Sequence, residues 1–168
     1  MKWIGLVLPV MLLCSSPSFA ALRTNEVAPA FSLPDLDGKA VVLRDVLKGG
    51  RRASGGVVLS FFATWCGPCR KELPILNSMA GELQAQGVAV VIVDLKEDAA
   101  VIRRFVEDLK LDGLTVLMDG DGKTAAKYQV RFLPMTFCVG ADGRIKDMIY
   151  GEVRSSNEFR TCAEKLLP

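Results

Sequence analysis

The residues best placed to do chemistry are the two cysteines of Trp65-Cys66-Gly67-Pro68-Cys69. Two intervening residues bring both sulfurs within one helical turn, close enough to close a disulfide. The apolar run Val57 to Ala63 precedes them and has the length of a strand buried on both faces. A helical pattern follows from Gly67 to Gln86, with Leu73, Leu76, Ala80 and Leu83 as its apolar stripe. The pair therefore falls where a buried strand hands over to a helix. A cysteine at a helix N-terminus meets unpaired N–H groups and the positive end of the helix dipole, and both favour thiolate over thiol. The thiolate is the attacking species in disulfide exchange. Cys66, at the exposed N-terminal position, is the expected nucleophile. Cys69, one turn inside, is the expected resolving thiol, shielded until a mixed disulfide forms. Gly67 allows close backbone approach, and Pro68 presets its own backbone angle in the first turn.

Other chemistries fit poorly. A structural zinc site needs four ligands, and the chain has no histidine. Cys138 and Cys162 do not make a second close pair. The run Asp119 to Lys123, DGDGK, lacks the alternating ligands and distant glutamate of a calcium loop and reads as a turn. The net charge of +2 gives no reason to expect nucleic acid or an anionic membrane surface as partner. Lys48 and Arg51-Arg52 sit among glycines and read as a solvated loop. No cofactor or metal is expected beyond the redox-active pair Cys66–Cys69 itself.

The elements that must position this pair can be read on both sides of it. Residues 1–20 are expected to be a secretory signal: Lys2, then an apolar stretch from Trp3 to Cys14, then Ser18-Phe19-Ala20 as a cleavage site. An uncleaved anchor and a lipoprotein attached through Cys14 are the competing readings. Residues 21–168 then form one domain. Export places the four remaining cysteines where disulfides persist. Phe31 to Leu47, with the turn Asp37-Gly38, reads as a small hairpin. Gly49 to Gly56 reads as a loop. After the first helix, in which Pro74 is expected to cause a bend, come a strand at Val88 to Val93 and a helix around Val101 to Leu109. A short strand at Leu114 to Met118, a short helix at Thr124 to Tyr128, and a hairpin of Met135 to Val139 with Arg144 to Tyr150 follow. The last helix opens on a capping box, Ser155 and Glu158, and carries Phe159, Cys162, Ala163, Leu166 and Leu167 on one face. The order implies an α/β fold with a mixed central sheet and helices on both faces. Cys138 in a core strand and Cys162 on a helix that packs on the sheet either bridge or remain buried thiols. Sequence alone does not choose.

WCGPC at a strand–helix junction, with Pro74 beyond it, resembles the thioredoxin active site. The rest of the chain resembles one branch, the exported TlpA/ResA-like proteins, through Ala28-Pro29-Ala30-Phe31-Ser32-Leu33, Asp37-Gly38-Lys39, Ser60 to Pro74, Leu133 to Phe137, and Asp142-Gly143-Arg144-Ile145. The resemblance implies a thioredoxin-like three-layer sandwich with an N-terminal hairpin and an inserted strand and helix. It aligns Pro134 with the cis-proline that packs beside the disulfide. The backbone of Leu133 would then be free to pair with an extended substrate. Trp65, Gly67, Pro68, Leu133 and Pro134 are the expected substrate-facing residues. Glu72 matches a glutamate that assists proton transfer in ResA-like proteins, against the alternative of a solvated helix glutamate. Ser60 departs from thioredoxin proper, which has a buried aspartate at that spacing. Met135 departs where threonine is usual.

The function implied is a thiol–disulfide oxidoreductase outside the cytoplasm that reduces protein disulfides, with the haem-binding thiols of apocytochrome c as a client in cytochrome c maturation. Such a protein needs a membrane thiol-electron transporter as reductant, and a monomer is expected. The same residues would serve a disulfide-introducing oxidase, and a non-catalytic binding module is the alternative from another class. A peroxidase fits less well, because Thr64-Trp65-Cys66 lacks the Thr-x-x-Cys spacing.

Overall fold

The computed structural model describes residues 21–49 and 55–167. The expected leader at residues 1–20, with Cys14 and the cleavage site, lies outside the described residues, as do Arg51-Arg52 and most of the expected loop.

Among the described residues, the alternation of apolar runs and amphipathic stretches becomes twelve elements: β1 (Ser32–Pro34), β2 (Ala40–Val42), α1 (Leu43–Lys48), β3 (Val57–Phe62), α2 (Gly67–Ala85), β4 (Ala89–Leu95), α3 (Ala99–Leu109), β5 (Thr115–Asp119), α4 (Lys123–Lys127), β6 (Met135–Val139), β7 (Ile145–Tyr150) and α5 (Ser156–Glu164). β1 and β2 form the expected N-terminal hairpin. The expectation that the hairpin runs on to Leu47 is corrected, because Leu43–Lys48 is helical. The other five strands form one sheet in the order β5-β4-β3-β6-β7. β3, β4 and β5 are parallel, while β6 and β7 run antiparallel to their neighbours. The mixed sheet covered on both faces is thus as expected, and two strand–helix units separate α2 from β6.

The alternation of side chains along β3 divides the core. Val58 and Phe62 face a cluster made with Leu73, Leu76, Leu83, Ile102, Phe105 and Phe159, so α2, α3 and α5 cover that side. Val57, Leu59 and Phe61 face Phe31, Leu43, Tyr128 and Phe137, covered by the hairpin, α1 and α4. Phe61, Tyr128 and Phe137 meet with ring centroids 4.9–5.9 Å apart. Met135 is buried in this second cluster, where it packs against the core. The DGDGK run is a turn in which Asp119 accepts the N–H groups of Thr124 and Ala125 at 3.1 and 2.7 Å and so caps α4. At α5 the Ser155 hydroxyl accepts the Asn157 N–H, but Glu158 reaches the N–H of Arg154, one residue before the position a capping box would use.

Candidate active site

The sheet delivers the chemistry through the C-terminal end of β3. Four residues after Phe62 the chain reaches Cys66, which is the N-cap of α2, with extended backbone (φ −78°, ψ 104°). Its sulfur accepts the Cys69 N–H at 3.2 Å, one of the donors a helix start leaves unpaired. Pro68 lies in the first turn, where its missing N–H costs nothing. Cys66 and Cys69 are joined as a disulfide, with Cα atoms 5.3 Å apart.

The sequence places Cys66 in an exposed position. In the structure only 4% of it is accessible, against 0% for Cys69, because the strand end and the groove wall close around the bridge. Access comes instead through a groove of about 370 Å³ lined by Trp65, Cys66, Gly67, Pro68, Leu95, Val130, Arg131, Phe132 and Leu133. Trp65 stands out at its edge, 70% exposed, and Phe132 lies on the other bank. Gly67 borders open space: a Cβ there would meet nothing within 4 Å. Its lack of a side chain keeps the groove clear rather than letting the chain pack on itself. The Leu133–Pro134 peptide is cis. Leu133 is half-buried and lines the groove, whereas Pro134 is buried and its carbonyl accepts the Gly151 N–H at 3.0 Å.

Glu72 is not a solvated helix residue. It is 0% exposed, on the face of α2 turned to the sheet. Its Oε1 accepts the Ser60 hydroxyl at 3.3 Å and its Oε2 accepts the Val153 N–H at 3.0 Å. Burial raises its carboxyl to about 7, although these two hydrogen bonds pull the other way. The serine that departs from thioredoxin is thus the partner of the glutamate, since Ser60 on β3 and Glu72 on α2 share one buried site. Cys138 and Cys162 are bonded beneath the same face, Cα atoms 5.9 Å apart, tying β6 to α5. Both are completely buried.

Sequence reasoning missed a pair of acids, Asp94 and Glu97. β4 extends past Val93 to Leu95 and so takes in Asp94, which is completely buried. Glu97 just beyond it accepts both the N–H and the hydroxyl of Thr64, two residues before Cys66, at 2.6 Å each. The signal was present as a lone aspartate closing the apolar run VVIVDL.

The pattern of the AhpC/TSA family matches residues 24–148. The chain belongs to that family. Within the family it is similar to the thiol-disulfide oxidoreductase ResA of Bacillus cereus (strain ZK / E33L), 30% identical over 172 residues, covering 96% of this chain and 95% of the relative. Among solved structures it is similar to a putative thiol:disulfide interchange protein DsbE from Chlorobium tepidum, with a TM-score of 0.74 and 29% identity, covering 86% of this chain and 99% of the other. It is also similar to a secreted Mycobacterium tuberculosis disulfide oxidoreductase homologous to E. coli DsbE, with a TM-score of 0.66 and 25% identity, covering 81% and 96%. This member of the AhpC/TSA family is a thiol–disulfide oxidoreductase with a thioredoxin-like fold.

Proposed function

We propose that the protein reduces disulfides of other proteins outside the cytoplasm, with Cys66 as the attacking sulfur. The observation that carries this reading is the Cys66 sulfur held at the N-cap of α2 by the Cys69 N–H, at the edge of an apolar groove. In the reduced protein that site favours thiolate. The Cys66 thiolate attacks one sulfur of a substrate disulfide, that S–S bond breaks, and the other substrate sulfur leaves as a thiolate that takes a proton. Cys69 gives its proton to the Glu72 carboxylate and attacks the Cys66 sulfur of the mixed disulfide. The second substrate thiol departs and the Cys66–Cys69 bond closes, so two electrons have passed to the substrate. A Glu72 carboxyl poised near neutrality suits a group that takes and returns a proton. Trp65, Gly67, Pro68 and Leu133 hold an extended segment of substrate in the groove, and the buried cis Pro134 fixes the turn that presents Leu133.

The setting follows from further supports. The leader-like residues 1–20 and the secreted mycobacterial relative favour export. Among the described residues, no helix is long and apolar enough to cross a membrane. In an oxidising compartment a reductase must be recharged, so its donor is a membrane protein that carries thiol electrons across the bilayer. The client is the CxxCH thiol pair of an apocytochrome c, a reading carried over from the ResA-like resemblance. A single chain supplies both cysteines, Glu72 and the groove, so one protomer suffices.

The test is the equilibrium of the Cys66–Cys69 pair with glutathione. A potential near that of glutathione or lower, toward about −270 mV, supports the reductase; a value near about −120 mV makes it an oxidase. Insulin reduction that survives Cys66→Ser would remove Cys66 from the mechanism.

A further inference from the structure

Asp94 is completely buried, on the sheet face that carries α2 and α3. Its Oδ1 accepts the Glu97 N–H at 2.9 Å. Its Oδ2 meets no donor among the described residues. A buried carboxylate oxygen without a donor is costly, but a protonated one is itself a donor. The Glu97 carboxylate is the acceptor placed beside it, on the residue whose own N–H already bonds Asp94 Oδ1. Glu97 in turn accepts from the Thr64 N–H and hydroxyl, and Arg70 Nε of α2 donates to the Thr64 carbonyl at 3.0 Å. All three polar groups of Thr64 are therefore held, two residues before the attacking sulfur.

We infer that Asp94 is a positioning residue: it donates its carboxyl proton to Glu97, and the pair clamps the loop from Thr64 to Cys66 and so sets the sulfur against the groove. When Asp94 releases that proton to solvent, two charged carboxylates stand side by side, that of Asp94 completely buried, and the clamp loosens. The inference goes beyond the direction of electron flow and rests on Cys66 being the attacking sulfur.

The surroundings agree. Burial first, and the side-chain bond to Glu97 second, raise Asp94 to about 7. Burial opposes the charge on Glu97, but the bonds from Asp94 and Thr64 outweigh it and hold Glu97 low. The charged side chains in its own turn are Lys96, which lies along Gly122, together with Glu97 and Asp98. From α2 comes Arg70, whose guanidinium also lies 4.9 Å over the Phe105 ring of α3. β3 presents Phe62 and β5 presents Met118 beside Asp94, and α3 buries Ile102 and Phe105, none of them titratable. Asp119 on β5 is paired with Leu95, hence turned to the opposite face, where it caps α4. Glu72, the other buried carboxyl on this face, is bound to Ser60 and Val153.

The experiment follows the Thr64 amide and the Asp94 and Glu97 carboxyl carbons by NMR from pH 5 to 9 in the oxidised protein, where neither active cysteine titrates. The three signals are expected to move together with one midpoint near 7, to do so also in Glu72→Gln, and to lose that midpoint in Asp94→Asn. A Thr64 amide that stays fixed, or that moves in Asp94→Asn as in the native protein, overturns the inference. In the reduced protein, Asp94→Asn is expected to raise the Cys66 alkylation rate about threefold at pH 7.5 and to leave it unchanged at pH 5.5, because one buried negative charge is gone only where it had formed. A ratio of variant to native rate that is the same at both pH values overturns the link to Cys66. Slow alkylation of native Cys66 at every pH would sink the nucleophile assignment instead, and leaves the NMR result standing.

Discussion

In the proposed reaction, Cys66 and Cys69 divide one task by position on a helix. The first sulfur has the N-cap hydrogen bond and the groove; the second has neither access nor solvent. Cys69→Ser is therefore expected to stall turnover at a mixed disulfide that gel electrophoresis without reductant captures, while Cys66→Ser forms none. Glu72 makes a prediction about pH. Its carboxyl is raised from an ordinary 4.5 to about 7, so the folded state binds its proton more tightly than the unfolded chain does. Stability from this group is full below pH 4.5 and is lost as pH rises through 7, by roughly 3 kcal/mol for a shift of this size. Asp94 acts with the same sign. Urea midpoints are thus expected to fall between pH 5 and 8, and Glu72→Gln, which keeps an acceptor for Val153, is expected to flatten much of that fall and to slow release of the second substrate thiol. The WCGPC motif was legible at once, because spacing and helix start are local properties. The burial of Glu72 was not, because its partner Val153 lies 81 residues away in sequence.

Among the elements, β3 is the one everything leans on. It is central in the sheet, buried throughout, and its end aims Cys66. The approach to β3 is tight: a Cβ on Gly56 would strike the Val139 carbonyl of β6. Gly56→Ala is expected to cost about 2 kcal/mol in a urea melt, through displacement of β6 against β3. The long elements were readable from periodicity, α2 to within one residue of its end. α1 was not, because six residues show too little period to separate a helix from a strand, and Val42 offers no side-chain cap to announce it. Asp94 was missed for a related reason. A polar residue normally marks the end of a buried strand, and here the strand runs past it because Glu97 supplies its partner.

Across the whole molecule, the two disulfides have different duties. Cys66–Cys69 borders the groove, whereas Cys138–Cys162 is enclosed and pins the last helix to the sheet across 24 residues. Closing a loop of that length is worth about 3 kcal/mol. Cys138→Ala with Cys162→Ala is expected to lower the unfolding free energy by that order and to leave insulin reduction intact. A thiol count on the unreduced, unfolded protein is expected to find neither of these two sulfurs free. The sequence carried the fold class and the order of strands and helices, because buried runs and turn signals alternate along it. It did not decide this bridge, which depends on how α5 lies on β6. The groove has a different architecture. One bank, Trp65 to Pro68, belongs to the reacting segment, and the other, Val130 to Leu133, arrives after two further strand–helix units. On the proposed reading, recognition and reactivity separate by grafting: replacing Arg131 and Phe132 with the matching pair from a relative exchanges one bank for another while the opposite shore keeps its sulfur and its helix.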